Sequence, residues 1–185
     1  TAAHYRLELA DGVAPLQLAA YVQYMQPATG VPQQGYSVTL PPFASGRPNI
    51  DNLPYIPDAD RLGLLNVRYV AAEYHLDSPG LVETARFGKT YVYENQRALP
   101  RAWVQPLSSP LGEGIAPVAV ALTPNTARLL NVTGPGLLVL SEIDYPGWQV
   151  SVDGEPARIL PQADLLRGVE LAEGKHEVRF TFRPY

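Results

Sequence analysis

A chain of 185 residues with a hydrophobic share of 46% is large enough to bury a real core, as one domain or as two small ones. Its 14 basic and 18 acidic side chains give a formal net charge of -4, which argues against a nucleic-acid partner, because phosphate-backbone binders carry clustered positive charge. With 0 cysteines there is neither a disulfide framework nor a thiolate metal site. No apolar stretch approaches the roughly 20 residues of a bilayer-spanning helix, and the N-terminus lacks signal-peptide features, so the chain as given is expected to be soluble.

Tyr5 to Leu9 alternate weakly and read equally as a strand or as a frayed linker. Pro15 suits a first helical turn, Leu18, Val22 and Met25 follow at helical spacing, and Pro27 breaks the run. The spacing therefore predicts a helix from about Pro15 to Met25, with packing as the default role of Tyr21 and Tyr24. From Pro27 to Pro57 the chain is dense in Pro, Gly, Asn and Gln, interrupted by a short strand candidate from Tyr36 to Leu40. Loops of that length are uncommon in compact domains unless functional, which makes the segment a candidate binding surface.

Asp58 is placed to cap a helix over Ala59 to Leu65. Strands are predicted at Val67–Ala72, Thr90–Glu94 and Ala102–Val104, all three in one sheet. Ser108 to Pro117, rich in Ser, Pro and Gly, marks a linker and a boundary near Ser108. Strands then follow at Val118–Leu122 and Ala127–Val132, with an apolar run at Leu137–Leu140. Trp148, Val150 and Val152 alternate with Gln149 and Ser151, so Trp148 is expected in the core. Asp153-Gly154 predicts a tight hairpin with Arg158–Leu160 as the return strand. Gly168–Leu171 and His176–Arg183 flank a break at Ala172–Lys175 and place Val178, Phe180 and Phe182 on one buried face.

These elements predict a mainly β chain with minor α, of α+β type. An α+β part with the Pro-rich loop covers residues 1–107 and packs on an antiparallel β-sandwich, jelly-roll or immunoglobulin-like, at 108–185; the two could also form one compact unit.

Chemistry is sparsely signalled. His4, His75 and His176 lack ligand spacing, so no metal and no cofactor is expected. The carboxylate pairs Glu142 with Asp144 and Asp58 with Asp60 read as surface charges, because a hydrolytic pair comes from elements flanking the substrate. Neither a nucleophile elbow nor a phosphate-binding glycine loop occurs. Aromatics carry the one ligand reading: Tyr36, Phe43 and Tyr55 on the Pro-rich loop would form one wall of a groove over a sheet carrying Tyr91, Tyr93 and Trp103, with flat faces for sugar rings. Core packing is the competing role of each.

Several segments occur together in a fixed order: Leu64-Leu65-Asn66-Val67-Arg68-Tyr69-Val70, Val92-Tyr93-Glu94-Asn95 with Ala98-Leu99-Pro100-Arg101-Ala102, Leu138-Val139-Leu140-Ser141-Glu142 with Tyr145-Pro146-Gly147-Trp148 and Val152-Asp153-Gly154, and Gly174-Lys175-His176-Glu177-Val178. This order resembles the C-terminal extracytoplasmic part of the YfhO-type bacterial membrane proteins, multi-pass proteins similar to polyprenyl-phosphate-sugar-dependent glycosyltransferases. The likeness runs from about Gly63 onward. It implies an extracytoplasmic domain at the bacterial cell membrane, with the end at Tyr185 fitting a position just before a membrane helix.

The family's catalytic acids are expected near N-terminal membrane helices that this chain does not include, so no catalytic residue carries over. The expected function is a non-catalytic accessory domain of a glycosyltransferase-like membrane protein, positioning a cell-envelope glycan or polymer acceptor by carbohydrate binding. The alternative is a domain that packs on the transmembrane part of the same protein, or on another protein, and binds no sugar. A soluble glycoside hydrolase is the last reading.

Overall fold

The computed structural model describes residues 4, 7–10, 17–32, 39 and 44–184, without the side chains at 48 and 49. The chain is mainly β, with 45% strand against 12% helix, and its α+β, β-sandwich-like fold divides into two units, Thr1–Leu99 and Pro100–Tyr185. That division falls ahead of the Ser108 linker and places Ala102–Val104 in the C-terminal unit.

In the N-terminal unit the first helix, α1 (Ala19–Thr29), begins after Pro15, which lies outside the described residues, and runs through Pro27. Proline removes one N–H and crowds the carbonyl four residues back, but in the last turn only that single bond is lost. The stop is Gly30, at φ 70°, whose N–H donates to the Gln26 carbonyl across 2.9 Å. Val22, Tyr24, Met25 and Ala28 form the buried stripe. The Tyr24 hydroxyl donates to the Arg61 carbonyl at 2.7 Å and that of Tyr21 to the Ala10 carbonyl. Leu7 to Leu9 form no strand, and the candidate from Tyr36 to Leu40 lies outside the described residues apart from Thr39.

After α2 (Pro48–Asp51), α3 (Ala59–Leu64) is capped as expected: the Asp58 carboxylate accepts from the Asp60 and Arg61 amides at 2.9 and 3.0 Å. The next strand, β1 (Tyr69–Ala72), starts later than Val67 because the Asn66 and Val67 amides still close the helix, donating to Gly63 and Leu62 carbonyls. Two strands complete an antiparallel sheet of order β1-β3-β2: β2 (Leu81–Phe87) and β3 (Thr90–Asn95). The sequence reading missed β2, because a bulge between Glu83 and Ala85 breaks its alternation. The inner face of this sheet presents Leu81 and Tyr93 to Ala59 and Leu76.

The expectation that Ala102–Val104 shares a sheet with these strands is corrected. As β4 (Ala102–Gln105) it pairs with β5 (Ala116–Pro117) and with the 18-residue β7 (Thr126–Ile143), which follows β6 (Val120–Thr123). All four residues of β4 are buried, as only a strand covered on both faces would be.

Downstream, β8 (Trp148–Val152) and β9 (Glu155–Ala157) form the predicted hairpin, with Asp153 at φ 53° and Gly154 at φ 88°. Its return strand comes earlier than Arg158 because a two-residue turn puts Glu155 directly opposite Val152. The chain then makes β10 (Leu160–Gln162) and the 17-residue β11 (Leu166–Phe182). The break predicted at Ala172–Lys175 is a bulge within one strand, where Gly174 faces Gly134 of β7.

The β7–β11 ribbon runs through two layers, one with β5, β4 and β10 beside it and the other with β6, β8 and β9. Leu138, Leu140, Val169 and Leu171 from one half join Ala127, Leu129, Val178 and Phe180 from the other in a single core cluster, so the ribbon must bend at its bulges to bring the halves together. Pro117, Pro156 and Pro161 stand in β5, β9 and β10, where a missing N–H blunts further pairing.

Candidate functional site

Of the described aromatic residues expected to line a groove, Tyr93 and Trp103 are buried. Tyr36 and Phe43 lie outside the described residues. Tyr55 is half-buried in a turn, its amide donating to the Asn52 carbonyl at 3.0 Å. Tyr93 is 2% exposed and its hydroxyl accepts from the Leu76 amide at 3.0 Å. Trp103, 0% exposed, belongs to the C-terminal sheet and donates its indole N–H to Gln105 Oε1 at 2.9 Å. Neither ring has a face free for a sugar. Tyr91 is half-buried, with the Arg86 guanidinium 4.4 Å from its ring centre and Tyr93 stacked at 6.4 Å. The expected core Trp148 is only half-buried, while Trp103 is the fully buried tryptophan.

The most perturbed cluster lies around Arg167, which the register shift between Leu166 and Arg167 turns inward. Its residue is 2% exposed, and its guanidinium lies 3.7 Å from the Trp148 ring centre and 5.7 Å from that of Phe180. Nη2 is 3.8 Å from Glu142 Oε2, whereas Nε and Nη1 are buried without a hydrogen-bond partner. Glu142 Oε1 in turn accepts from Arg101 Nη1 at 2.9 Å.

Desolvation pushes the Arg167 guanidinium down to about 10, opposed by the charges of Glu142 and Asp144. Burial also holds Asp144 above the usual carboxylate range, offset by Arg167 and by the Tyr145 amide. Gly147, at φ 106°, makes the turn that delivers Trp148 to this cluster, and its carbonyl accepts from the Arg183 amide at 2.8 Å. The arrangement can hold an otherwise costly buried cation between two rings and two carboxylates. A sequence signal existed: Arg167 is one charge inside the apolar run Leu165-Leu166-Arg167-Gly168-Val169.

A second polar group crosses the β8–β9 turn. His176 Nδ1 lies 2.7 Å from Asp153 Oδ2 and Nε2 lies 3.1 Å from the Ala172 carbonyl, so both ring nitrogens face acceptors. Asp153 Oδ1 accepts from the Glu177 amide at 2.8 Å, and Glu177 pairs with Arg128 at 2.8 Å. The bond that His176 donates to Asp153, foremost, and then that to the Ala172 carbonyl raise His176 above its ordinary value, and the bonds donated by His176 and the Glu177 amide lower Asp153. Beside it is a shallow depression lined by Leu130, Asn131, Lys175, His176 and Glu177. Among the described residues no group of three or more His, Asp or Glu side chains could hold a metal ion.

The third feature is apolar. The outer face of the β1-β3-β2 sheet carries Tyr69, Ala71, Val82, Ala85, Phe87, Thr90, Val92 and Glu94, which the register places on the side opposite Tyr93. Tyr69, Val82 and Phe87 are 62%, 51% and 71% exposed. Against known proteins, the chain matches no family model, no curated protein and no solved structure.

Proposed function

We propose that this chain is a non-catalytic extracytoplasmic domain of a bacterial multi-pass membrane protein of the YfhO type, and that it acts by packing against a protein surface. The placement rests on the ordered sequence segments from Leu64 to Val178 that resemble that family. The choice of packing over glycan positioning is carried by one observation: the sheet that turns the Tyr93 ring inward leaves Tyr69, Val82 and Phe87 in water on its other face. Exposed large apolar side chains gathered on one sheet face favour a protein contact, whereas sugar sites need aromatic faces in a concavity.

Two measurements test the reading. Alkaline phosphatase fused to this region in the full-length protein should be active and a green fluorescent protein fusion dark; the reverse pattern places the domain in the cytoplasm and overturns it. Titration of the chain with envelope glycans should give no heat of binding. Saturable, salt-tolerant binding that disappears in Tyr55→Ala, with stability unchanged, would instead establish the glycan-positioning role.

A further inference from the structure

We propose that the outer face of the β1-β3-β2 sheet docks an apolar protein segment that offers one lysine or arginine to Glu94; this rests on the packing role proposed above. Strand geometry gives the face a size of about 10 by 13 Å, counting two interstrand spacings and four residue steps. Its eight residues include a single charge. Glu94 is exposed, is flanked across the strands by Tyr69 and Val82, and has no ion-pair partner among the described residues.

That one acid selects the occupant. Covering the face with a purely apolar surface would desolvate an unpaired carboxylate, whereas a basic side chain at the matching point converts the cost into an interfacial pair. A lipid surface is disfavoured on the same ground, because Glu94 would meet acyl chains or anionic headgroups with nothing to neutralise it. A second copy stacked through this same face offers only the same acid, so that arrangement brings like charges toward one another. The face therefore fits a heterologous partner with apolar side chains around one cation.

The test uses the full-length protein in its membrane. A photo-crosslinking amino acid is placed at position 87 and, separately, at 69, with position 175 as control, and the joined peptides are identified by mass spectrometry. Both face positions should capture the same apolar peptide containing a Lys or Arg, and position 175 should not. Glu94→Lys should lower the yield about tenfold or more, and changing the captured basic residue to Glu should restore it. The melting temperature of Glu94→Lys, expected to be unchanged, separates lost docking from lost folding.

Crosslinks to lipid alone, to a second copy, to unrelated peptides from the two positions, or to nothing would overturn the proposal. So would a yield indifferent to the charge swap. Any of those results with an active phosphatase fusion leaves the extracytoplasmic domain standing and removes only this surface; a fluorescent cytoplasmic fusion removes the parent reading instead.

Discussion

Arg167 lies with its guanidinium 3.7 Å from the centre of the Trp148 ring, buried, while two of its nitrogens find no acceptor. A cation in that position is stabilised by the ring face and by Glu142, yet it bears the desolvation cost that lowers its pKa to about 10. Glu142 is partly exposed and keeps its pair with Arg101 at 2.9 Å, so losing the Arg167 charge does not strand it; an apolar side chain of similar volume then preserves the packing, whereas truncation leaves a cavity. Arg167→Met should therefore unfold within about 1 kcal/mol of the parent in urea, and Arg167→Ala should lose roughly 3 kcal/mol. Equal losses in the two variants would mean that the charge itself, not the packed volume, sustains the cluster.

The two tryptophans make a second comparison. Trp103 is 0% exposed and its N–H is satisfied by Gln105, so Trp103→Ala removes a whole buried ring and one of two donors to Gln105 Oε1, which keeps the Gly112 amide at 2.9 Å; about 4 kcal/mol is expected. Trp148 is half-buried, and Trp148→Ala should cost less, roughly 2 kcal/mol, most of it through the uncovered Arg167. Chemical denaturation of both variants checks the order. A Trp148 variant less stable than the Trp103 variant would reverse it.

Local signals with a one-to-one physical cause were legible in the sequence: the Asp58 cap, the Asp153-Gly154 turn, and the alternation that buries Val178 and Phe180. What was hidden depends on pairing. Ala102–Gln105 carries no mark of which sheet it joins, and only the register with Leu137–Leu140 decides it. The bulge in β2 hid that strand, and the bulges in β11 made one strand look like two, because each extra residue inverts the alternation. For the candidate site, aromatic residue type was visible but its direction was not: the same alternation that identifies β3 sends Tyr93 inward and Glu94 outward. Arg167 in its apolar run could have been flagged, whereas its ring partners could not.

Two glycines with similar backbone separate conformational strain from lack of space. Gly154 has φ 88° with nothing within 4 Å of an added Cβ, so Gly154→Ala carries only the cost of a left-handed alanine, about 1 kcal/mol. Gly30 has φ 70°, and a Cβ there would stand 2.8 Å from the Ile56 carbonyl oxygen and 3.0 Å from its nitrogen. Those are backbone atoms that cannot rotate away. Gly30→Ala should lose roughly 3 kcal/mol, with the N-terminal unit the first to open in hydrogen exchange. Similar losses at both sites would show that space at Gly30 is not limiting.

The last prediction concerns pH. His176 is raised chiefly by its bond to Asp153 and next by the Ala172 carbonyl, so its contribution to stability is fully present below the unfolded histidine value, about 6.5, and is lost as pH rises through the higher folded value. Asp153 is lowered chiefly by His176 and then by the Glu177 amide, so its contribution is present above the unfolded aspartate value, about 3.9, and is lost as pH falls through the lower folded value. Both contributions are complete between about pH 4 and pH 6.5, where the imidazolium and the carboxylate coexist. The melting temperature should therefore fall between about pH 6 and pH 9 more steeply for the parent than for His176→Gln, which keeps a donor but cannot titrate. The pair bridges the β8–β9 turn at the surface, so about 1 M salt should shrink the difference. Parallel pH profiles for parent and variant would show that the bond holds the turn without depending on the histidine's charge.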